Sequence, residues 1–155
     1  MKHQCLLLMD EFTSIGRVEI IAHSVSYMAG YNIRLFPIIQ SVAQLDAVYG
    51  KEYARTIITN HALQIIYTPR EQQDANEYSE MLGYTTVKRR NVSRGRERSV
   101  SESEERRALM LPQELKGMNQ DSEIILYEGM AHPAKVGKIR YYQDGTFTKR
   151  LRKPV

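Results

Sequence analysis

The sequence predicts an α/β fold in which a mainly parallel sheet is flanked by helices. Apolar strands alternate with amphipathic helices along the 155 residues. The first strand is a continuous apolar run, which is typical of a strand buried on both faces. Strands that are separated by helices form a parallel sheet through right-handed crossovers. The chain is long enough to bury one hydrophobic core.

The elements follow one another with short connections. We predict strands over 5–9, 33–39 and 62–67 and helices over 17–28, 42–49, 52–59 and 70–82. Ser14 is a candidate cap for the first helix, and Gly50 and Gly83 follow helix ends, where glycine is common. Further along, we predict strands over 85–87 and 123–127, a helix over 112–118 and an edge strand over 136–142, whose alternating residues suit one wet face.

The positive charge is concentrated in one segment. The whole chain carries a net charge of +4, and residues 88–107 alone have a surplus of four basic residues over acidic ones. The segment is mixed with Ser and Glu and lacks aromatic residues, which favours a flexible, solvated, charged loop. Binding to nucleic-acid phosphates is the other interpretation. Its candidate residues are Lys88, Arg89, Arg90, Arg94, Arg96 and Arg98.

The composition also bounds the cellular setting. No apolar run is long enough to cross a bilayer, so we expect no direct membrane insertion by this chain. Asp10 and Glu11 interrupt the N-terminal apolar stretch too early for a signal peptide. The single Cys5 lies inside an apolar strand, which indicates a reducing compartment without disulfides.

The first strand runs directly into two adjacent carboxylates, Asp10 and Glu11. Ligands of open α/β sheets bind at the carboxyl ends of strands. An Asp there can hold Mg²⁺ on a nucleotide, and the following Glu can activate a water, which is the pattern of a Walker B strand. The phosphate-binding motif G-x-x-x-x-G-K-[ST] is not found in the chain. The simpler interpretation is a strand-end turn with solvated acids.

Gln40 follows the second predicted strand. Neighbouring parallel strands present their carboxyl ends at one edge of the sheet, so we expect Gln40 near Asp10 and Glu11. A neutral amide at that edge can hydrogen-bond a γ-phosphate or the attacking water. Taken alone, Gln40 is better explained as a polar residue at a helix N-terminus. The carboxylate pair on the preceding strand favours the functional interpretation.

Together these residues resemble a known family, the TraG/TraD-like coupling proteins of type IV secretion systems, which are the ring ATPases of conjugation. The resemblance is to the C-terminal part of the family and covers nearly the whole chain in one order. The matching stretches are 6–12, 30–34, 40–45, 49–50, 60, 75–79, 82–83 and 107–115.

The resemblance implies that residues 1–155 are a partial RecA-like P-loop NTPase domain that lacks the Walker A strand and loop. It implies a homo-hexameric motor at the cytoplasmic face of the bacterial inner membrane. Such a motor feeds single-stranded DNA or proteins into a secretion channel and works with relaxosome and type IV secretion proteins. Asp10 would bind the Mg²⁺ of Mg-ATP through water, Glu11 would be the catalytic base, and Gln40 the phosphate sensor. Arg17 and Arg34 are arginine-finger candidates, with a structural ion pair the favoured role.

The missing Walker A strand has consequences for stability and activity. In the family's sheet order it lies between strands 33–39 and 62–67, and losing a buried strand forfeits on the order of 10 kcal/mol. We therefore expect a marginally stable chain that neither binds nor hydrolyses ATP alone, because loop amides and a Lys supply most phosphate affinity. The alternative function is a non-catalytic adaptor that binds relaxosome partner proteins or nucleic acid.

Overall fold

The computed structural model describes residues 3–94 and 98–152, with backbone only for residues 90–94 and 98–102. Strands and helices alternate through its first half. The strands are β1 Cys5–Met9, β2 Ile33–Pro37, β3 Leu63–Ile66, β4 Tyr84–Arg94, β5 Arg98–Ala108, β6 Ser122–Tyr127 and β7 Ala134–Gly137. The helices are α1 Glu19–Met28, α2 Val42–Tyr49, α3 Lys51–Thr59, α4 Gln72–Leu82, α5 Pro112–Lys116 and α6 Gly145–Thr148.

A parallel strand pair and three helices form the first part of the fold. β1 and β2 pair in parallel from Cys5 opposite Ile33 to Met9 opposite Pro37, and α1 makes the crossover between them. One hydrophobic core lies among α1, α2 and α3. Its fully buried side chains include Phe12, Leu45, Ala54 and Ile57, and the Phe12 ring stacks on Tyr49 with the centroids 5.3 Å apart. The mixed α/β class that the sequence predicts is confirmed.

The second part is a three-stranded sheet in the order β3-β6-β7, in which both pairings are antiparallel. Its core contains Ile66, Leu82, Leu115 and Ile124. β3 therefore pairs with a later strand, and within the described residues it shares no ladder with β2. As predicted, the strand near residue 136 lies at a sheet edge, but it ends at Gly137.

The prediction of a loop is wrong for residues 88–94 and 98–107, the part of that segment that the structure describes. β4 and β5 form an antiparallel ribbon of their own, in register from Tyr84 opposite Ala108 to Arg94 opposite Arg98. Both strands have eleven residues. Charged side chains are compatible with a ribbon that is wet on both faces, so high charge does not exclude strand structure here.

The first helix begins later than predicted, and Ser14 does not cap it. Phe12–Ile15 form a short 3-10 turn, and Val18 occupies the N-cap position of α1 without a capping side chain. The Val18 N–H instead donates to the Tyr49 hydroxyl at 3.2 Å. A contact between elements distant in sequence thus replaces the local cap.

Candidate functional site

The candidate site lies where β1 and β2 end side by side. The Ile38 N–H donates to the Met9 carbonyl at 2.9 Å, and the Phe12 N–H donates to the Ile38 carbonyl at 2.9 Å. These two bonds extend the pairing beyond the regular strands and flank Asp10 and Glu11. The turn that holds both carboxylates is therefore attached to the backbone that leads to Gln40.

Glu11 reverses the chain in a conformation that non-glycine residues rarely adopt. Its φ of 49° and ψ of 47° lie in the left-handed region. The Asp10 Oδ1 accepts from the Glu11 N–H at 3.0 Å, and the Ser14 hydroxyl donates to the Glu11 Oε2 at 3.4 Å. Both carboxylates stay exposed, whereas Phe12 directly after them is fully buried. The buried ring anchors a turn that leaves the two acids at the surface.

Gln40 is exposed at the same edge, one residue before Ser41, the N-cap of α2. Ser41 caps this helix by accepting from the Gln44 N–H at 3.3 Å. The Gln44 Oε1 accepts from the Thr13 hydroxyl at 3.3 Å, which ties the turn after Glu11 to the helix after Gln40. The structure therefore brings the ends that carry Asp10, Glu11 and Gln40 to one edge, as the parallel pairing requires.

Asp74 contributes to this region and was missed by the sequence reasoning. It lies in the first turn of α4 with only 4% of its surface exposed, and its Oδ2 accepts from the Val42 N–H at 3.3 Å. Burial raises the pKa of Asp74, and the carboxylates of Glu77, Glu71 and Asp46 raise it further, against the lowering effect of the Val42 hydrogen bond. The spacing of the sequence carries no signal for a contact 32 residues away.

Arg17 and Arg34 are engaged in structural contacts. The Arg17 guanidinium pairs with Glu19 at 2.8 Å, donates to the Tyr49 carbonyl at 3.1 Å and lies over the Tyr53 ring. Arg34 donates to the Ala29 carbonyl at 3.0 Å. These contacts hold both arginine side chains against other residues of this chain.

The nucleic-acid candidates that the structure describes lie on the β4–β5 ribbon and not at the strand-end edge. Lys88 and Arg89 are exposed. Arg90 and Arg94 lie in β4 and Arg98 lies in β5. Arg96 lies outside the described residues.

Comparison with known proteins decides the family. The model of the family described as "Type IV secretory system Conjugative DNA transfer" matches residues 1–155, the whole chain. The chain belongs to this family. The resemblance to type IV coupling proteins that the sequence indicated is thereby confirmed.

Curated relatives of this coupling-protein chain are much longer than it is. It is 30% identical over 153 residues to Protein VirD4 of Rhizobium radiobacter, covering 96% of the chain and 22% of VirD4. It is 30% identical over 176 residues to the conjugal transfer protein TraG of Escherichia coli, covering 99% of the chain and 27% of TraG. The chain thus spans about a quarter of these relatives.

Solved structures of a conjugative coupling protein share the fold. The chain matches TrwBdeltaN70 in its unbound monoclinic form with a TM-score of 0.72 and 22% identity, over 88% of this chain and 32% of that one. It matches the plasmid coupling protein TrwB in complex with ADP and Mg²⁺ with a TM-score of 0.68 and 23% identity, over 88% of this chain and 30% of TrwB. The α/β fold class is confirmed.

The coupling-protein chain has no self-contained metal cage in the residues that the structure describes, since no group of three His, Cys, Asp or Glu side chains could enclose an ion. Mg²⁺ on a nucleotide needs no such cage, because it keeps several waters and takes one or two carboxylates together with substrate phosphates. The exposed carboxylate of Asp10 fits that requirement. Among the described helices, none combines the length and apolar character needed to cross a membrane.

Proposed function

We propose that this chain is part of the nucleotide-binding domain of a coupling ATPase that drives DNA or protein transfer. Asp10 holds Mg²⁺ through water, Glu11 acts as the catalytic base, and Gln40 senses the γ-phosphate. The observation that carries this proposal is the shared edge of the parallel β1–β2 pair. There the Phe12–Ile38 hydrogen bond at 2.9 Å binds the acidic turn to the backbone that leads to Gln40.

Each side chain has a task that its position allows. Mg-ATP supplies a phosphoryl group whose transfer needs positioning and charge neutralisation. The exposed Glu11 carboxylate accepts the proton of an attacking water. Gln40 donates its amide N–H to a phosphate oxygen, and Ser41 and Gln44 hold the backbone behind it. The Thr13–Gln44 hydrogen bond gives a path by which a change at Gln40 reaches the Glu11 turn.

The proposal extends to partners and location. The complete motor acts as a homo-hexamer at the cytoplasmic face of the bacterial inner membrane and binds single-stranded DNA, relaxosome proteins and type IV secretion proteins. The chain alone neither binds nor hydrolyses ATP, because the described residues contain no phosphate-binding glycine loop with its Lys. The TrwB structure with ADP and Mg²⁺ supports a nucleotide in the complete protein.

The test is a chimera of TraG from Escherichia coli in which this chain replaces the matching region. We expect the chimera to restore conjugal transfer. With Glu11→Gln the transfer frequency should fall at least about 100-fold, since a positioned general base contributes about 10²–10⁴-fold in rate. Glu80→Gln, an equal change on the exposed surface of α4, is the matched control and should transfer normally.

Immunoblots measure whether all chimeras accumulate to the same level. Normal transfer by the Glu11→Gln chimera would contradict the base assignment. The unsubstituted chimera is compared with native TraG in the same assay. If the chimera accumulates but does not support transfer while native TraG does, the assignment of this chain to the motor is contradicted.

The second candidate function is nucleic-acid binding by the β4–β5 ribbon. The observation that favours it is the replacement of an expected loop by an exposed, basic two-stranded ribbon. A two-stranded ribbon fits the major groove of duplex DNA, and exposed cations along it can neutralise phosphates of either single or double strands. In this interpretation the chain is a non-catalytic adaptor, or the ribbon is the part of the motor that contacts the DNA substrate.

A further inference from the structure

The two faces of the β4–β5 ribbon differ in how their cations are used. Residues directly opposite in an antiparallel pair share a face. Thr86 is opposite Arg106 and Lys88 is opposite Glu104, so Lys88 and Arg106 lie on one face, the Lys88 face. Arg89 is opposite Ser103 and lies on the other, the Arg89 face, which also holds Val87, Glu105, Thr85 and Arg107.

The described cations of the Arg89 face are already neutralised. The Arg89 guanidinium pairs with the Glu105 carboxylate at 3.1 Å. Arg107 pairs with Glu114, whose other carboxylate oxygen accepts from the Leu111 N–H at the start of α5. The hydrogen bond from Leu111 and that from Arg107 lower the pKa of Glu114, so the carboxylate stays ionised and keeps its partner. These arginines support the ribbon and its junction with α5.

The described cations of the Lys88 face remain available. Neither Lys88 nor Arg106 has an ion pair with another residue in the part of the chain that the structure describes. The Arg106 guanidinium lies over the Tyr84 ring, 4.0 Å from its centroid. Stacking covers one side of the guanidinium plane and leaves its N–H edge free to donate to a phosphate.

The ribbon as a whole would also gain from an external anion. An isolated two-stranded ribbon is marginal in water, and residues 88–107 carry a surplus of four basic residues over acidic ones. A polyanion bound along the ribbon would therefore stabilise it. At about 3.4 Å per residue, eleven residues give a ribbon of roughly 35 Å, long enough to meet several phosphates.

The geometry points to the Lys88 face as a binding surface for the phosphate backbone of nucleic acid, with Lys88 and Arg106 as direct contacts and the Arg89 face as structural support. This inference rests on the second candidate function and names the residues that carry it. Single-stranded and duplex DNA both present a row of phosphates, and this row is what the Lys88 face would bind. The length of the ribbon and its surplus of cations favour an extended polyanion over a short acidic peptide.

The test measures binding of the purified chain to a labelled 20-nucleotide single strand and to a 20-base-pair duplex over a series of salt concentrations. The Lys88→Gln, Arg106→Gln variant should bind at least about tenfold more weakly than the unsubstituted chain. Its slope of log affinity against log salt should fall by about two, one for each lost phosphate contact. The Arg89→Gln, Arg107→Gln variant removes the same charge and should change affinity less than about twofold.

The possible outcomes distinguish failure of the face assignment from failure of nucleic-acid binding itself. No salt-dependent binding by the unsubstituted chain would overturn nucleic-acid binding itself. Binding that both variants weaken equally would leave that function standing and overturn the face assignment. Polyglutamate of equal charge, used as a competitor, should displace DNA poorly. Equal competition by polyglutamate would overturn phosphate recognition in favour of an acidic peptide. Circular dichroism of both variants shows whether the fold is retained.

Discussion

Asp74 is a buried carboxylate that contacts the helix directly after Gln40. It lies on α4 yet accepts from the Val42 N–H, the first residue of α2 after Gln40 and Ser41. Tyr78, one turn along α4, is partly buried, and burial together with Asp74 raises the pKa of this tyrosine to about 12. Asp74 therefore links the first turn of α4 to the start of α2.

The raised pKa of Asp74 sets the direction of a pH effect. Between its unfolded and folded pKa values the folded chain binds more protons, so Asp74 lowers stability as pH rises through that window, from about pH 4 upward. Asp74→Asn keeps an oxygen that accepts from Val42 and removes the charge. We expect the variant to gain stability relative to the unsubstituted chain as pH rises from 4 to 7. Urea unfolding at several pH values measures this difference, and a difference that is constant with pH would contradict the assignment.

At the scale of elements, α1 is held in place by Tyr49 at the end of α2. The Tyr49 side chain is 1% exposed, and its hydroxyl accepts from the Val18 N–H at the N-cap of α1. The Tyr49 carbonyl accepts from Arg17. The helix thus has no local capping side chain and is positioned by contacts with a later helix.

Removal of the Tyr49 hydroxyl should be costly. Tyr49→Phe keeps the stacked ring and leaves the Val18 N–H without its acceptor, so we expect a loss of about 1–3 kcal/mol in the free energy of unfolding. Tyr31→Phe is the matched control, because this tyrosine is 64% exposed, and it should change stability by less than about 0.5 kcal/mol. Denaturant unfolding of the two variants measures both changes in the free energy of unfolding. Equal stability of both would show that the hydroxyl does not support α1.

At the scale of the whole molecule, the parallel pair presents an apolar face that nothing in the described structure covers. Leu6 and Leu8 are 61% and 60% exposed, and Phe36 of β2, opposite Leu8, is 36% exposed. Leu63 and Ile65 of β3 are exposed as well. Apolar side chains that are left uncovered on one face mark an interaction surface and are prone to association.

We expect the isolated chain to self-associate through this face. Leu6→Lys together with Leu8→Lys should reduce the weight-average mass in sedimentation equilibrium toward the monomer, since two charges oppose apolar contact. These side chains are exposed, so the cost to folding should be small. Ile139→Lys, at a residue that is 69% exposed and lies elsewhere, is the control and should leave association unchanged. Equal effects of the two changes would place the association outside this face.

The sequence by itself determined the elements with strong local signals. Amphipathic periodicity and a following glycine place the ends of α2 at Tyr49 and of α4 at Leu82. The apolar run of β1 followed by Asp10 and Glu11 indicates the strand-end edge, because parallel neighbours must end on the same side. These features depend on side chains close together in the chain.

Only the tertiary structure decided the features that depend on distant partners. Residues 88–107 resemble a solvated loop by composition. The register between two strands makes residues 88–94 and 98–107 a ribbon and gives its faces different ion pairs. The antiparallel partner of β3 lies some sixty residues further along the chain. The contact of Asp74 with Val42 likewise depends on where the fold places the start of α4 beside the start of α2. Pairing and packing across such distances are set by the whole fold, and no local pattern encodes them.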